Sequence, residues 1–204
     1  MSYQHHLFIS YCWRARHQFA RRDYFAKWVC EHFGELLRER IESELIPGPK
    51  QSIFIDRTLE PGRDYRLGLA QALKRSAILI PILDGQYFSS DWCKAEWDSF
   101  SRREEELRTG RTLIIPIHYS DGDCFTDDAN IRKPFDMRGF SAIHSTEPIT
   151  PKYEDFQYRV ADFARIVAQR IKEAPVFSES WPEINYSEGE GSVPHVAALP
   201  NFRR

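Results

Sequence analysis

Trp92 and Glu96 stand four residues apart. On a helix that spacing puts both on one face. An indole beside a carboxylate can stack on a planar part of a ligand, and the acid can offset positive charge that develops there. Ser10 and Tyr11 add two adjacent hydroxyls, and Arg57 adds a forked donor suited to phosphate oxygens. Arg57 lies in a stretch, 56–62, that also holds Asp56, Leu59, Pro61 and Gly62. Each residue has a plainer reading. A Glu in the first turns of a helix is commonly solvated and complements the dipole. Trp92 serves as well as a core or interface anchor. Ser10 and Tyr11 can simply end a strand, Asp56 can cap the loop after it, and Arg57 can face solvent.

Positioning these side chains requires a scaffold, and the patterning supplies one. Strand-length apolar runs alternate with helical patterns about five times. Residues 7–11 read as the first strand. A helical pattern over about 19–45, with Phe25, Trp28, Val29, Phe33, Leu36, Leu37 and Ile41 at helical spacing, ends at Pro47, Gly48 and Pro49. Residues 53–55 form a second strand, followed by the 56–63 loop and a helix over about 64–74 with Leu67, Leu69, Ala70 and Leu73 as its apolar positions. The continuous apolar run 77–83 suits a central strand buried on both faces, where Pro81 implies a bulge or a strand end. Ser89, Ser90 and Asp91 offer N-caps for a helix to about Leu107. Residues 113–117 are the fourth strand, 120–136 an Asp-rich loop with room for a short helix, and 140–143 a weak fifth strand. A helix over 153–172 carries Phe156, Val160, Phe163, Ile166, Val167 and Ile171 on one face.

Alternating strands and helices call for a parallel sheet, because parallel neighbours need a crossover. The expected fold is α/β: a flavodoxin-like five-stranded parallel sheet of order 2-1-3-4-5 with helices on both faces. In such a sheet ligands bind outside the carboxyl ends of the strands, where the order reverses. Functional residues are therefore expected just after Tyr11, Ile55 and Leu83. The domain is expected to span residues 1–174, with 175–204 a tail that is extended or docked.

Several classes of function lose support. A net charge of −2 gives no bulk attraction to nucleic acid or to a membrane surface. No run of 18 apolar residues predicts a transmembrane helix, and the short polar start does not resemble a signal peptide. Cys12, Cys30, Cys93 and Cys124 lack zinc spacing and read as reduced thiols of a cytoplasmic protein. The seven histidines form no metal-ligand pair of obvious helical spacing. Asp121, Asp123, Asp127 and Asp128 lack the EF-hand pattern, so no metal is expected. Glycine-rich dinucleotide, P-loop and Gly-x-Ser-x-Gly motifs are absent. The run Glu104, Glu105 and Glu106, flanked by Arg102, Arg103 and Arg108, reads as a solvated helix face with internal ion pairs.

Three segments at the expected strand ends carry a resemblance: Phe8-Ile9-Ser10-Tyr11, Asp56-Arg57-Thr58-Leu59-Glu60-Pro61-Gly62 and Trp92-Cys93-Lys94-Ala95-Glu96. In this order and spacing they resemble the Toll/interleukin-1 receptor (TIR) domain family over about residues 7–173, closest to its NAD-cleaving type. That family pairs a Phe-x-Ser-Tyr-type first strand with a BB loop containing Asp and Pro-Gly, and some members open the third helix with Trp-Cys-x-x-Glu. The resemblance implies that Glu96 is catalytic in cleaving the nicotinamide–ribose bond, with Ser10, Tyr11, Arg57 and Trp92 around the substrate. It implies that Asp56, Leu59, Pro61 and Gly62 belong to an interaction loop for other TIR domains. NAD is then a substrate and no cofactor is required. The basic, aromatic stretch 12–17, the long first helix, the 120–136 loop and the tail depart from the family pattern.

Two functions of different class follow from the resemblance. One is an NAD+ glycohydrolase in signalling or innate immune defence, releasing nicotinamide and ADP-ribose or a cyclic form of it. The other is a non-catalytic adapter that works through TIR–TIR contacts. A nucleotide-binding or nucleoside-processing domain using the same pocket is a third.

Overall fold

The computed structural model describes residues 2–12, 25–45, 52–55, 65–121, 125–141, 143, 150–182 and 184. Its centre is a parallel sheet of β1 (His5–Tyr11), β2 (Ile53–Ile55), β3 (Ser76–Leu83), β4 (Ile117–His118) and β5 (Phe135–Asp136). The spatial order is β2-β1-β3-β4-β5, the flavodoxin-like order expected from the sequence. The helices are α1 (Gly34–Glu44), α2 (Tyr65–Lys74), α3 (Asp91–Leu107), α4 (Asp127–Ile131) and α5 (Pro151–Lys172). None among the described residues is long and apolar enough to cross a membrane.

Each face of the sheet has its own core. Leu7, Ile9 and Tyr11 of β1 join α1 and α5 residues such as Leu37, Ile41, Phe156 and Val160. Phe8 and Cys12 join α2 and α3 residues, including Leu69, Leu73, Trp97 and Phe100. Successive strand residues point to opposite faces, which assigns one β1 residue in two to each layer. All eight residues of β3 are buried, as a strand covered on both faces requires.

Pro81 neither bulges β3 nor ends it. The strand runs through it, in register with Ser10 of β1. The consequence falls on β4. Leu79 N–H donates to Leu113 O and Ile115 N–H donates to Leu79 O, both at 2.9 Å. The next rung would start from the amide of residue 81, and proline has no hydrogen there. Pairing resumes at Ile82 with Ile117. The expected 113–117 strand is thus reduced to an isolated Leu79–Ile114 bridge and a two-residue β4. The fifth strand also differs from expectation. Residues Arg138–Phe140 form a 3-10 turn, and β5 is Phe135–Asp136, where Phe135 N–H donates to Pro116 O at 2.8 Å. Two residues are too few to show an alternation in sequence.

Other corrections concern which side chains face inward. Leu67 of α2 and Ile166 of α5 are exposed, although both fit the apolar spacing; Ala164 and Ala168 take the inner face of α5 instead. The charged run on α3 is not uniformly solvated. Glu104 pairs with Arg132 at 2.8 Å and accepts from Ile114 N–H at 3.0 Å, which anchors the start of the fourth sheet segment. Arg103 is fully buried. Its Nη1 and Nη2 donate to Ser76 O and Leu73 O, both at 3.1 Å, joining the end of α2 to the start of β3. The guanidinium lies 4.0 Å from the Phe100 ring centroid and 4.8 Å from that of Trp181. Burial pushes its pKa down to about 10. Tyr3 packs edge-on against Phe177 and donates its hydroxyl to Pro175 O at 2.9 Å. Residues 175–181 are thereby held against the amino end of the sheet.

The long first helix is described from residue 25. It contains a π-helical stretch, Trp28–Phe33, before α1. Gly34 N–H closes that stretch on Val29 O, five residues back. A Cβ on Gly34 would stand 2.7 Å from Val29 O and 2.8 Å from Ile55 Cδ1. Gly34→Ala is therefore expected to cost about 1–3 kcal/mol, read from denaturant unfolding. Arg103→Met keeps much of the volume but strips two buried carbonyls of their donors. It is expected to cost about 2–4 kcal/mol in the same measurement.

Candidate active site

β1 and β3 are neighbours in space but not in sequence, and the strand order reverses between them. The carboxyl end of β1 places Ser10 on the face that α3 covers. Tyr11 points into the opposite layer, where its ring meets Phe25 edge-on at 5.8 Å and its hydroxyl lies 3.9 Å from Cys30 Sγ. After β3 the chain passes through a 3-10 turn, Tyr87–Ser89, into α3. Among the three cap residues offered by the sequence, Ser90 takes the position, its Oγ accepting from Cys93 N–H. That start fixes which α3 residues face the sheet: Cys93, Glu96, Trp97 and Phe100 are buried.

Glu96 thereby meets Ser10. Ser10 Oγ donates to Glu96 Oε2 at 2.5 Å, within the range of a hydroxyl bound to an ionised carboxylate. Tyr87 OH lies 2.7 Å from the same Ser10 oxygen. Exposure is 2% for Ser10, 6% for Glu96 and 0% for Tyr87. A carboxylate so far out of water needs such donors, because an unpaired buried charge is very costly. Burial first, and then the nearby Cys93 and Glu96, push the Tyr87 phenol well above its ordinary value. Behind Glu96, the Cys93 thiol is held well above its ordinary range, first by its hydrogen bond to Cys12, then by burial and by Glu96. Cys12, Cys30 and Cys93 carry reduced thiols, not disulfides; Cys124 lies outside the described residues.

Ser10 and Glu96 are thus brought together, and Tyr11 is turned to the other layer. Trp92 is half-buried and packs against the core on the α3 side. Asp56, Arg57, Leu59, Pro61 and Gly62 lie outside the described residues. Among the described acidic residues of the 120–136 stretch, Asp121 binds Arg138, and Asp128 binds Trp97 Nε1 and Arg132. No described group of three acidic, His or Cys residues could hold a metal.

The sequence reading missed Tyr87. It lies four residues beyond Leu83, in the segment where the strand-end rule places functional groups, but nothing in its neighbours distinguishes it from an ordinary core aromatic. Asp84, the first residue after β3, was missed as well. Its carboxyl is pushed up by burial, against the pull of nearby backbone amides.

Two solved structures are similar to this chain at low identity. One is the TIR domain of the Toll-related receptor TRR-2 from the lower metazoan Hydra magnipapillata, at 16% identity and a TM-score of 0.44, covering 78% of this chain and 99% of that one. The other contains the TIR domains of the activated Roq1 resistosome directly recognizing the pathogen effector XopQ, at 20% identity and a TM-score of 0.37, covering 80% and 82%. Neither likeness carries the assignment. The family model described as TIR domain does, because it matches residues 7–147, well over half of the sequence. The chain belongs to the TIR domain family.

Proposed function

We propose that this TIR domain is an NAD+ glycohydrolase in which Glu96 is the catalytic carboxylate. The supporting observation is the burial of Glu96 beside the carboxyl end of β1, with one oxygen held by Ser10. The chemistry asks little more of the protein. Nicotinamide in NAD+ is a cationic pyridinium, so it departs as a neutral molecule when the bond to ribose C1′ breaks. No general acid is needed, unlike in ordinary glycoside hydrolysis. Positive charge then builds on the ribose. A fixed carboxylate next to it stabilises the oxocarbenium-like state and lowers the barrier by about 3–4 kcal/mol. Water adds at C1′ and loses a proton, giving ADP-ribose, or an internal nucleophile closes a cyclic product.

The remaining residues take supporting roles in this reading. Ser10 holds the acid. Trp92 offers an indole one turn away for a planar part of the substrate. Arg57 pairs with the pyrophosphate, and Tyr11 buttresses the strand end. Asp56, Leu59, Pro61 and Gly62 form the contact loop toward a second copy of the domain. A site completed by a neighbour's loop works only in an assembly.

The test is nicotinamide release from NAD+ by wild type and by Glu96→Gln, each at low and high protein concentration. Glu96→Gln is expected to lose about 100- to 1000-fold in rate. Specific activity of the wild type is expected to rise with protein concentration or with a crowding agent, checked by the same assay over a dilution series. Equal release by the two variants removes Glu96 from its role. Absence of release at every concentration leaves an adapter that acts through its surface.

A further inference from the structure

We infer that Tyr87 is a positioning residue for Glu96: its hydroxyl donates to Ser10 Oγ and so commits the one Ser10 proton to the carboxylate. Its functional consequence rests on the reading of Glu96 as the working acid; the hydrogen-bond order does not.

The order follows from counting protons. Ser10 has one hydroxyl hydrogen, and its Oγ sits between two oxygens, Glu96 Oε2 at 2.5 Å and Tyr87 OH at 2.7 Å. An ionised carboxylate only accepts. Ser10 donates to Glu96, which leaves its lone pairs for Tyr87, and Tyr87 must donate to Ser10. Among the described residues Ser10 is the hydrogen-bond partner of the Tyr87 hydroxyl. The phenol keeps its proton at any working pH, because burial and the neighbouring negative charge hold its titration far above the ordinary range. Its ring is fixed edge-on against Phe88 at 5.1 Å and against Trp97 at 6.5 Å. A hydroxyl that accepts one hydrogen bond becomes a better donor in the next. The chain Tyr87 to Ser10 to Glu96 therefore strengthens the contact that points Oε2 at β1.

The direct probe is the titration of the Glu96 carboxyl, followed by NMR on protein labelled with 13C at glutamate carboxyls and assigned with Glu96→Gln. Tyr87→Phe keeps the ring and removes the donor. The Glu96 midpoint is expected to rise by roughly half a pH unit. In a Ser10→Ala background the same change is expected to add no further shift, since the link is gone. Replacing Tyr87 with 3-fluorotyrosine keeps the shape and makes a stronger donor, so the midpoint is expected to fall. This third variant carries the test if Tyr87→Phe does not fold. In the nicotinamide-release assay, the acid limb of the Tyr87→Phe pH profile is expected to move up together with the midpoint. A merely structural tyrosine would change thermal stability and leave both midpoints in place; that outcome overturns the inference. Shifted midpoints in a protein that releases no nicotinamide support Tyr87 as the positioning residue and sink the NAD reading alone.

Discussion

A carboxylate withdrawn from water can be kept only where donors await it, and in this protein the donor comes from a different element of the fold. Glu96 belongs to α3 and Ser10 to β1, 86 residues earlier. Their hydrogen bond exists because the β1–β3 pairing, the turn after β3 and the start of α3 all agree. If Ser90 did not cap the helix, the phase of α3 would be free to change, and a one-residue slip rotates a side chain by about 100°. Capping, strand register and site geometry are therefore one constraint expressed at three levels.

The same construction explains why the site lies where it does. A parallel sheet with crossovers on both faces leaves a reversal between β1 and β3, and two pieces of the chain meet there, the end of β1 and the stretch that follows β3. Ser10 comes from one of them; Tyr87 and Glu96 come from the other. The opposite end of the sheet is closed in another way. Arg103 joins the end of α2 to the start of β3, and Trp181 and Tyr3 close over it through ring contacts. The charged group at that end is consumed in backbone carbonyls and aromatic faces, whereas the acid at the site end meets side-chain hydroxyls.

Much of this arrangement was legible in the residues. Long apolar runs and helical periodicity pointed to the α/β class, because buried parallel strands leave a strong compositional mark, and the strand order expected for such a sheet is the one observed. Ser90, Trp92 and Glu96 were visible as a cap and a one-face pair. What stayed hidden was short or depended on partners far along the chain. β5 has two residues and no alternation to read. The reduction of β4 depends on a proline in a neighbouring strand. Arg103 looked solvated because its compensation, two carbonyls and two rings, is assembled only on folding. Tyr87 looked like any core aromatic because the serine that its hydroxyl meets lies 77 residues away.

The two-sided reading of β1 also limits how this sequence can vary. Ser10 and Tyr11 are adjacent, yet they serve separate cores. Deleting or inserting a single residue upstream of them would exchange the layers. A deletion would bring the Tyr11 phenol, and an insertion the Ile9 side chain, to where the acid needs a small hydroxyl, and in either case Ser10 would turn into the opposite core. A change of two residues would restore the layers but set Phe8 or Cys12 where Ser10 now meets the acid, so the length of the strand upstream of Ser10 is fixed by the site as well as by the cores.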